Sequence, residues 1–224
     1  MCLKRVMEQN YQTIGEEIAN SALHFIGALL GIFGLVFLVN NARSSLPVYV
    51  IFASTMIFMF SASATYHAII SGKIKQFFRV IDHQSIYIFI AGTYTPFCLL
   101  ALKGPLGLFL FFFEWVMALT GVILSAVQFR FIKKIEMAIF ILMGWAIIGG
   151  CIPLARSLSP RSVVLLFAGG VLYTAGTFWY RAGKPKPGLK QSRLFCGHVI
   201  WHIFVLAGAA CHWFSVWFLL LEKH

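Results

Sequence analysis

His198 and His202 stand four residues apart at the head of the last apolar stretch, in Gly197-His198-Val199-Ile200-Trp201-His202. On a helix that spacing puts two imidazoles on one face with Cβ atoms about 6 Å apart, close enough to share one metal ion. Half of a zinc site is therefore present in one segment. Histidines also occur in helices as hydrogen-bonded packing residues, so the setting decides. Inside a membrane an ionisable side chain is costly, and one found there marks a functional position.

The rest of the chain supplies that setting. Of its 224 residues 60% are hydrophobic, 11% are charged and 23 are Phe. The mean hydropathy of +0.85 lies far from the profile of a soluble domain. The composition predicts an all-α polytopic membrane protein embedded in the lipid bilayer. A net charge of +11 could point to nucleic acid, but the basic residues form short clusters between apolar runs, not one amphipathic face. They read as topology signals, and nucleic acid is excluded as a partner. The five cysteines, Cys2, Cys98, Cys151, Cys196 and Cys211, show no Cys-x-x-Cys spacing and indicate no disulfide framework. Cys196 is two positions from His198, nearly on the opposite helix face.

Seven spans are expected: Ile18 to Val39, Val48 to about Ile70, Asp82 to Leu102, Leu106 to about Val127, Met137 to Leu154, Ser162 to Tyr180 and Phe195 to Leu221. Residues 1–16 read as a polar cytoplasmic tail and 17–221 as one seven-helix domain. Turns fall at Asn40 to Pro47 and at Lys103-Gly104-Pro105, and Pro96 is expected to kink the third helix. Arg43, Lys103, Arg156, Arg161 and Lys223 lie on one side of the spans. The other 13 of the 18 Lys and Arg lie on the opposite side. The excess of Lys and Arg marks the cytoplasmic face. The N-terminus is thus predicted inside and the C-terminus outside.

In that topology His67, Asp82, His198 and His202 all fall within about 10 Å of the cytoplasmic ends of their helices. Three imidazoles and a carboxylate in one layer predict a shared metal site. Zinc suits imidazole nitrogens best, and three His with an open fourth position is the pattern of a catalytic site. Asp82 would then orient the metal's water and take its proton, with Ser63, one turn before His67, anchoring that carboxylate or a substrate oxygen. Asp82 could instead cap a helix or pair with Arg79, and Ser63 could simply line a helix contact. Glu17, Asn20 and His24 share one face of the first helix and are read as cavity-lining. For His24 a ligand role stands beside that of a hydrogen-bonding wall. Glu114 and His212, at similar depth in helices four and seven, are expected to pair across the bundle. A protonated Glu114 bonded to a neighbouring hydroxyl is the alternative.

The same residues carry a family resemblance that covers essentially the whole chain. Gly15-Glu16-Glu17-Ile18-Ala19-Asn20 followed by His24, Ser63-x-x-x-His67, Asp82 with Gly92-Thr93-Tyr94-Thr95-Pro96, and His198-x-x-x-His202 followed by His212 resemble the bacterial hemolysin III proteins, within the progestin and adipoQ receptor superfamily. The resemblance implies zinc at His67, His198 and His202, with Asp82 contacting the zinc water. It also implies residence in a bacterial cytoplasmic membrane. Because the receptors resemble alkaline ceramidases, a lipid amide or ester is the implied substrate. The family name implies membrane lysis instead, with zinc merely tying helices together. The chain lacks the receptors' large N-terminal tail, so a hormone-receptor role is not expected.

Overall fold

In hydrocarbon a backbone must satisfy its own hydrogen bonds, so long apolar runs become helices. The computed structural model describes residues 12–42, 44–127, 130–182 and 197–223. Cys2, Arg43, Cys196, most of the N-terminal tail and the Lys-Pro-Lys-Pro connector fall outside these.

Among the described residues eight α-helices make seven spans. They are α1 (Ile14–Asn41), α2 (Leu46–Ala68), α3 (Lys73–Pro96), α4 (Gly104–Ala126), α5 (Arg130–Trp145), α6 (Cys151–Ser157), α7 (Pro160–Ala182) and α8 (Gly197–Glu222). A π-helical turn, Phe97–Leu102, prolongs α3, and a 3₁₀ turn, Ala146–Gly150, joins α5 to α6 within the fifth span. Each span is long and apolar enough to cross a membrane. No strand occurs among the described residues. The outer surface is apolar, with Phe33 71% and Phe109 64% exposed, which is a surface for hydrocarbon and not for water.

Consecutive helices pack side by side around the bundle, and α8 closes it by packing on both α7 and α1. The position of α1 between α2 and α8 matters most for the site, because both histidine-bearing helices meet its buried face. α1 starts earlier than its apolar run predicts. Thr13 and Glu16 form a reciprocal capping box, Thr13 Oγ1 accepting from the Glu16 N–H at 3.3 Å and Glu16 Oε2 accepting from the Thr13 N–H at 2.7 Å. The Thr-x-x-Glu signature was visible in the sequence.

A larger correction concerns α3. The basic stretch from Lys73 to Arg79, read as a connector, is already helical. Its charge is tolerated there because Lys75, only 4% exposed, finds acceptors on three sides. Further along, regular α-geometry ends at Pro96, which lacks the N–H and crowds the preceding turn, and a π-helical turn follows. The unwinding of the fifth span is satisfied by the neighbouring Tyr94. Its hydroxyl donates to the Met143 carbonyl at 2.7 Å and accepts the Ile147 N–H at 2.7 Å. This gives the Thr93-Tyr94-Thr95-Pro96 stretch a structural reason to exist.

Glu114 and His212 do not pair. His212 Nε2 donates to the Leu166 carbonyl of α7 at 3.1 Å, in a space left by Gly169. Glu114 is fully buried, and its carboxylate meets no hydrogen-bond partner among the described residues, neither the imidazole nor a hydroxyl. Equal depth was legible in the sequence, but the rotational setting of two helices that do not adjoin was not.

Candidate metal centre

α2 delivers His67 from its last turn, and α8 delivers His198 and His202 from its first two turns. Because α2 and α8 run in opposite directions, these two ends lie at the same end of the bundle. Ring centroids are 4.8 Å apart for His67 and His202, 5.3 Å for His67 and His198, and 4.7 Å for His198 and His202. One nitrogen from each of the three lies within 4.8 Å of the others. Ligands at 2.0 to 2.1 Å from a tetrahedral ion stand about 3.3 Å apart. Small side-chain rotations, easiest at the half-buried His198, close that difference.

Glu17 was read as cavity-lining, and the structure gives it a sharper task. Its Oε2 accepts from His67 Nδ1 at 2.7 Å, and its Oε1 accepts from Lys75 Nζ at 2.8 Å. A carboxylate on Nδ1 keeps the proton there and leaves the Nε2 lone pair free to bind a metal. Among the described residues His67 Nε2 is buried without a hydrogen-bond partner, as is His202 Nδ1. Orphaned buried nitrogens are rare in folded proteins, and an ion held by the three imidazoles accounts for the Nε2 of His67. The donor set and its support therefore fit a resident metal. Lys75 had been counted only as a topology signal. It also donates to the Ile69 carbonyl at 2.7 Å and the Tyr66 carbonyl at 3.4 Å, so it ties the end of α2 to α3 as well as to Glu17. Nothing in its spacing revealed this.

The remaining expected residues are distributed around the cluster. Ser63 is buried one turn before His67. Asn20 is fully buried and donates to Gln12 Oε1 at 3.2 Å. His24 lies against His202 with ring centroids 3.9 Å apart. Asp82 is not among the converging groups. Its Oδ2 is 3.7 Å from His83 Nδ1. Tyr66 packs on His67 at 4.6 Å and Tyr180 on His198 at 5.5 Å, and the two form an aromatic wall beside the cluster.

Glu17→Gln is expected to lower metal affinity about 10- to 100-fold, the usual effect of losing a carboxylate behind a ligating His. It also leaves Lys75 buried without its counter-charge, which destabilises the fold. Adding Lys75→Met to Glu17→Gln should recover thermal stability without recovering affinity. Metal titration and thermal unfolding of the two variants separate these effects. Recovery of both together would mean that Glu17 acts only through packing.

Seven apolar spans around three convergent imidazoles define an integral membrane protein with a buried candidate metal centre. The sequence profile of the family described as Haemolysin-III related matches residues 12–213, and the chain belongs to that family. It is 36% identical to Hemolysin-3 of Bacillus cereus over 220 residues, covering 96% of each chain. To the Hemolysin-3 homolog of Bacillus subtilis (strain 168) it is 39% identical over 211 residues, covering 92% of this chain and 95% of that one. The human Monocyte to macrophage differentiation factor, a member of the progestin and adipoQ receptor group, is 27% identical over 165 residues, which is 71% of this chain and 64% of its own. The resemblance read from the motifs is thus borne out. The protein is a multi-pass membrane protein of this family, with a three-histidine group able to hold a metal ion.

Proposed function

We propose that this protein is a zinc-dependent hydrolase acting on an amide or ester of a membrane lipid. The observation that carries the reading is the convergence of three imidazoles from α2 and α8, with Glu17 holding one nitrogen of His67 and leaving its buried Nε2 without a partner among the described residues. When bound, zinc supplies Lewis acidity at the substrate carbonyl and an activated water. The chain's own residues do the rest. His67 is held in one tautomer, so the site is preorganised. Asp82 takes the proton of the attacking water, and Ser63 anchors a substrate oxygen. Burial at the end of an apolar bundle keeps competing water out and favours an amphiphile that enters from the bilayer. Both oxygens of Glu17 are engaged, which leaves Asp82 as the carboxylate for proton transfer. The excess of Lys and Arg at this end of the bundle supports a cytoplasmic-facing site in the inner membrane of a bacterium.

The name of the Bacillus relatives supports a second reading, in which the chain acts on membranes by lysis and the metal only ties α2 to α8. One set of proteoliposomes tests both. On the hydrolase reading, N-acyl and O-acyl lipids are cleaved, cleavage stops on chelation and returns with zinc, and an entrapped dye stays inside. Dye release without product, insensitive to chelation, would overturn it in favour of lysis.

A further inference from the structure

Further along α8 than His202 is a third buried imidazole, His212, which is not part of the metal cluster. It is 8% exposed, and its Nε2 donates to the Leu166 carbonyl at 3.1 Å. That bond places a proton on Nε2. In the neutral ring Nδ1 is then a bare acceptor, and among the described residues no donor meets it. The Cδ2–Nε2 edge of the ring lies against Gly169 of α7, where a Cβ would collide with both atoms, so Nδ1 is on the edge turned away from that glycine. Native structures rarely leave such an atom alone.

The same ring lines a cavity of about 20 Å³. Thr93 and Tyr94 face it from α3, Gly144, Trp145 and Ile147 from the break in the fifth span, and Leu166 from α7. The side-chain donors on these walls are already committed. Thr93 Oγ1 donates to the Phe89 carbonyl at 2.9 Å, the Tyr94 hydroxyl to the Met143 carbonyl at 2.7 Å, and Trp145 Nε1 to Thr174 Oγ1 at 2.9 Å. The Ile147 N–H is spent on the Tyr94 oxygen. Tyr173 meets the His212 ring edge-on at 5.3 Å, and its buried hydroxyl has no partner among the described residues, but it does not line the cavity. Acceptors, by contrast, are in surplus. Thr93 Oγ1 keeps its lone pairs, and the Gly144 carbonyl receives only the longer share, 3.1 Å, of the Tyr94 hydroxyl.

We propose that this cavity is a binding site for one water molecule, which donates one proton to His212 Nδ1 and the other to the Gly144 carbonyl or to Thr93 Oγ1. Size and chemistry select the same ligand. A water needs about 10 to 15 Å³ of such space, so the cavity takes one and not two. An acceptor on one wall and further acceptors on the others require a ligand with two donor protons, which hydrocarbon does not have. No carboxylate lines the cavity, so nothing there would balance a cation. The water ties α8, which also carries His198 and His202, to the break in the fifth span. His212 thereby acquires a task that its depth in the helix did not reveal. The site stands independently of the hydrolase reading, since it shares no residue with the metal cluster.

The full chain in lipid carries the test. A high-resolution crystal structure should show one isolated peak within about 3 Å of His212 Nδ1 and of the Gly144 carbonyl or Thr93 Oγ1. With isotope-labelled histidine in the same chain, solid-state NMR should show magnetisation passing from water protons to the Nδ1 of His212. The signal is assigned by its loss in His212→Phe, or in His212→Gln if the first variant does not fold. His212→Phe removes the acceptor at nearly constant ring size and should also lose the peak from the cavity. Tyr173→Phe should leave the peak and the water contact of Nδ1 as they are. An empty cavity in the wild-type structure overturns the proposal. So does an Nδ1 that receives no magnetisation from water. A hydrogen bond to Nδ1 that disappears in Tyr173→Phe overturns it as well, because the tyrosine hydroxyl is then the donor.

Discussion

His202→Ala is expected to purify without stoichiometric metal. The wild-type chain, by contrast, should carry about one zinc per molecule by elemental analysis. His202 is fully enclosed and faces both His67 and His198, so its loss leaves two imidazoles that do not complete a tetrahedral set. His198→Ala should behave alike, with some residual binding because that residue is only half-buried. Both changes should also lower the thermal stability of the metal-loaded protein toward that of the stripped wild type, because an ion that binds only the folded state stabilises it by mass action. Stripped wild type and stripped variant should then unfold at similar temperatures. A wild-type chain without stoichiometric metal, after purification in the presence of zinc, would remove the site from further consideration. A different metal at full occupancy would keep the site and change its chemistry.

Asp82→Ala gives the second large effect, with the opposite signature. Its carboxylate is not among the converging groups, so metal should stay bound, weakened at most about 10- to 100-fold. Turnover of an N-acyl lipid should fall by about 10²- to 10⁴-fold, the usual contribution of a positioned general base. The contrast with Glu17→Gln is the informative part. The Glu17 variant loses metal affinity first, and excess zinc should restore much of its turnover. No zinc concentration should rescue Asp82→Ala. If Asp82→Ala loses metal as completely as the histidine variants, Asp82 is a direct ligand. If it loses neither metal nor turnover, its place beside His83 is merely structural.

The membrane class, the seven spans and the three histidines were legible because each rests on a property of the chain alone. Apolar length sets a span, and a four-residue step sets a helix face. Alternating direction then brings the end of α2 and the start of α8 to one layer. The family motifs marked the same positions. Helix starts were less legible where a polar residue is satisfied from outside its own helix. α3 extends back through Lys73 because Lys75 meets Glu17 and the carbonyls at the end of α2, contacts with no local signature.

Depth along a helix follows from counting residues, but azimuth follows from packing. Glu114 and His212 lie at matching depth and never meet, because His212 turns into the space at Gly169 on the neighbouring α7. Glu17 lies 50 residues before His67, and only the packing of α1 between α2 and α8 places its carboxylate on Nδ1. The same packing sets His24 against His202. By itself, then, the sequence determined which residues share a layer and which share a helix face, since helical rise and pitch are fixed by the backbone. Only the tertiary structure decided which face meets which. That depends on side-chain volumes such as Phe60 over Gly27 and Trp213 over Gly34, which no spacing along one chain encodes.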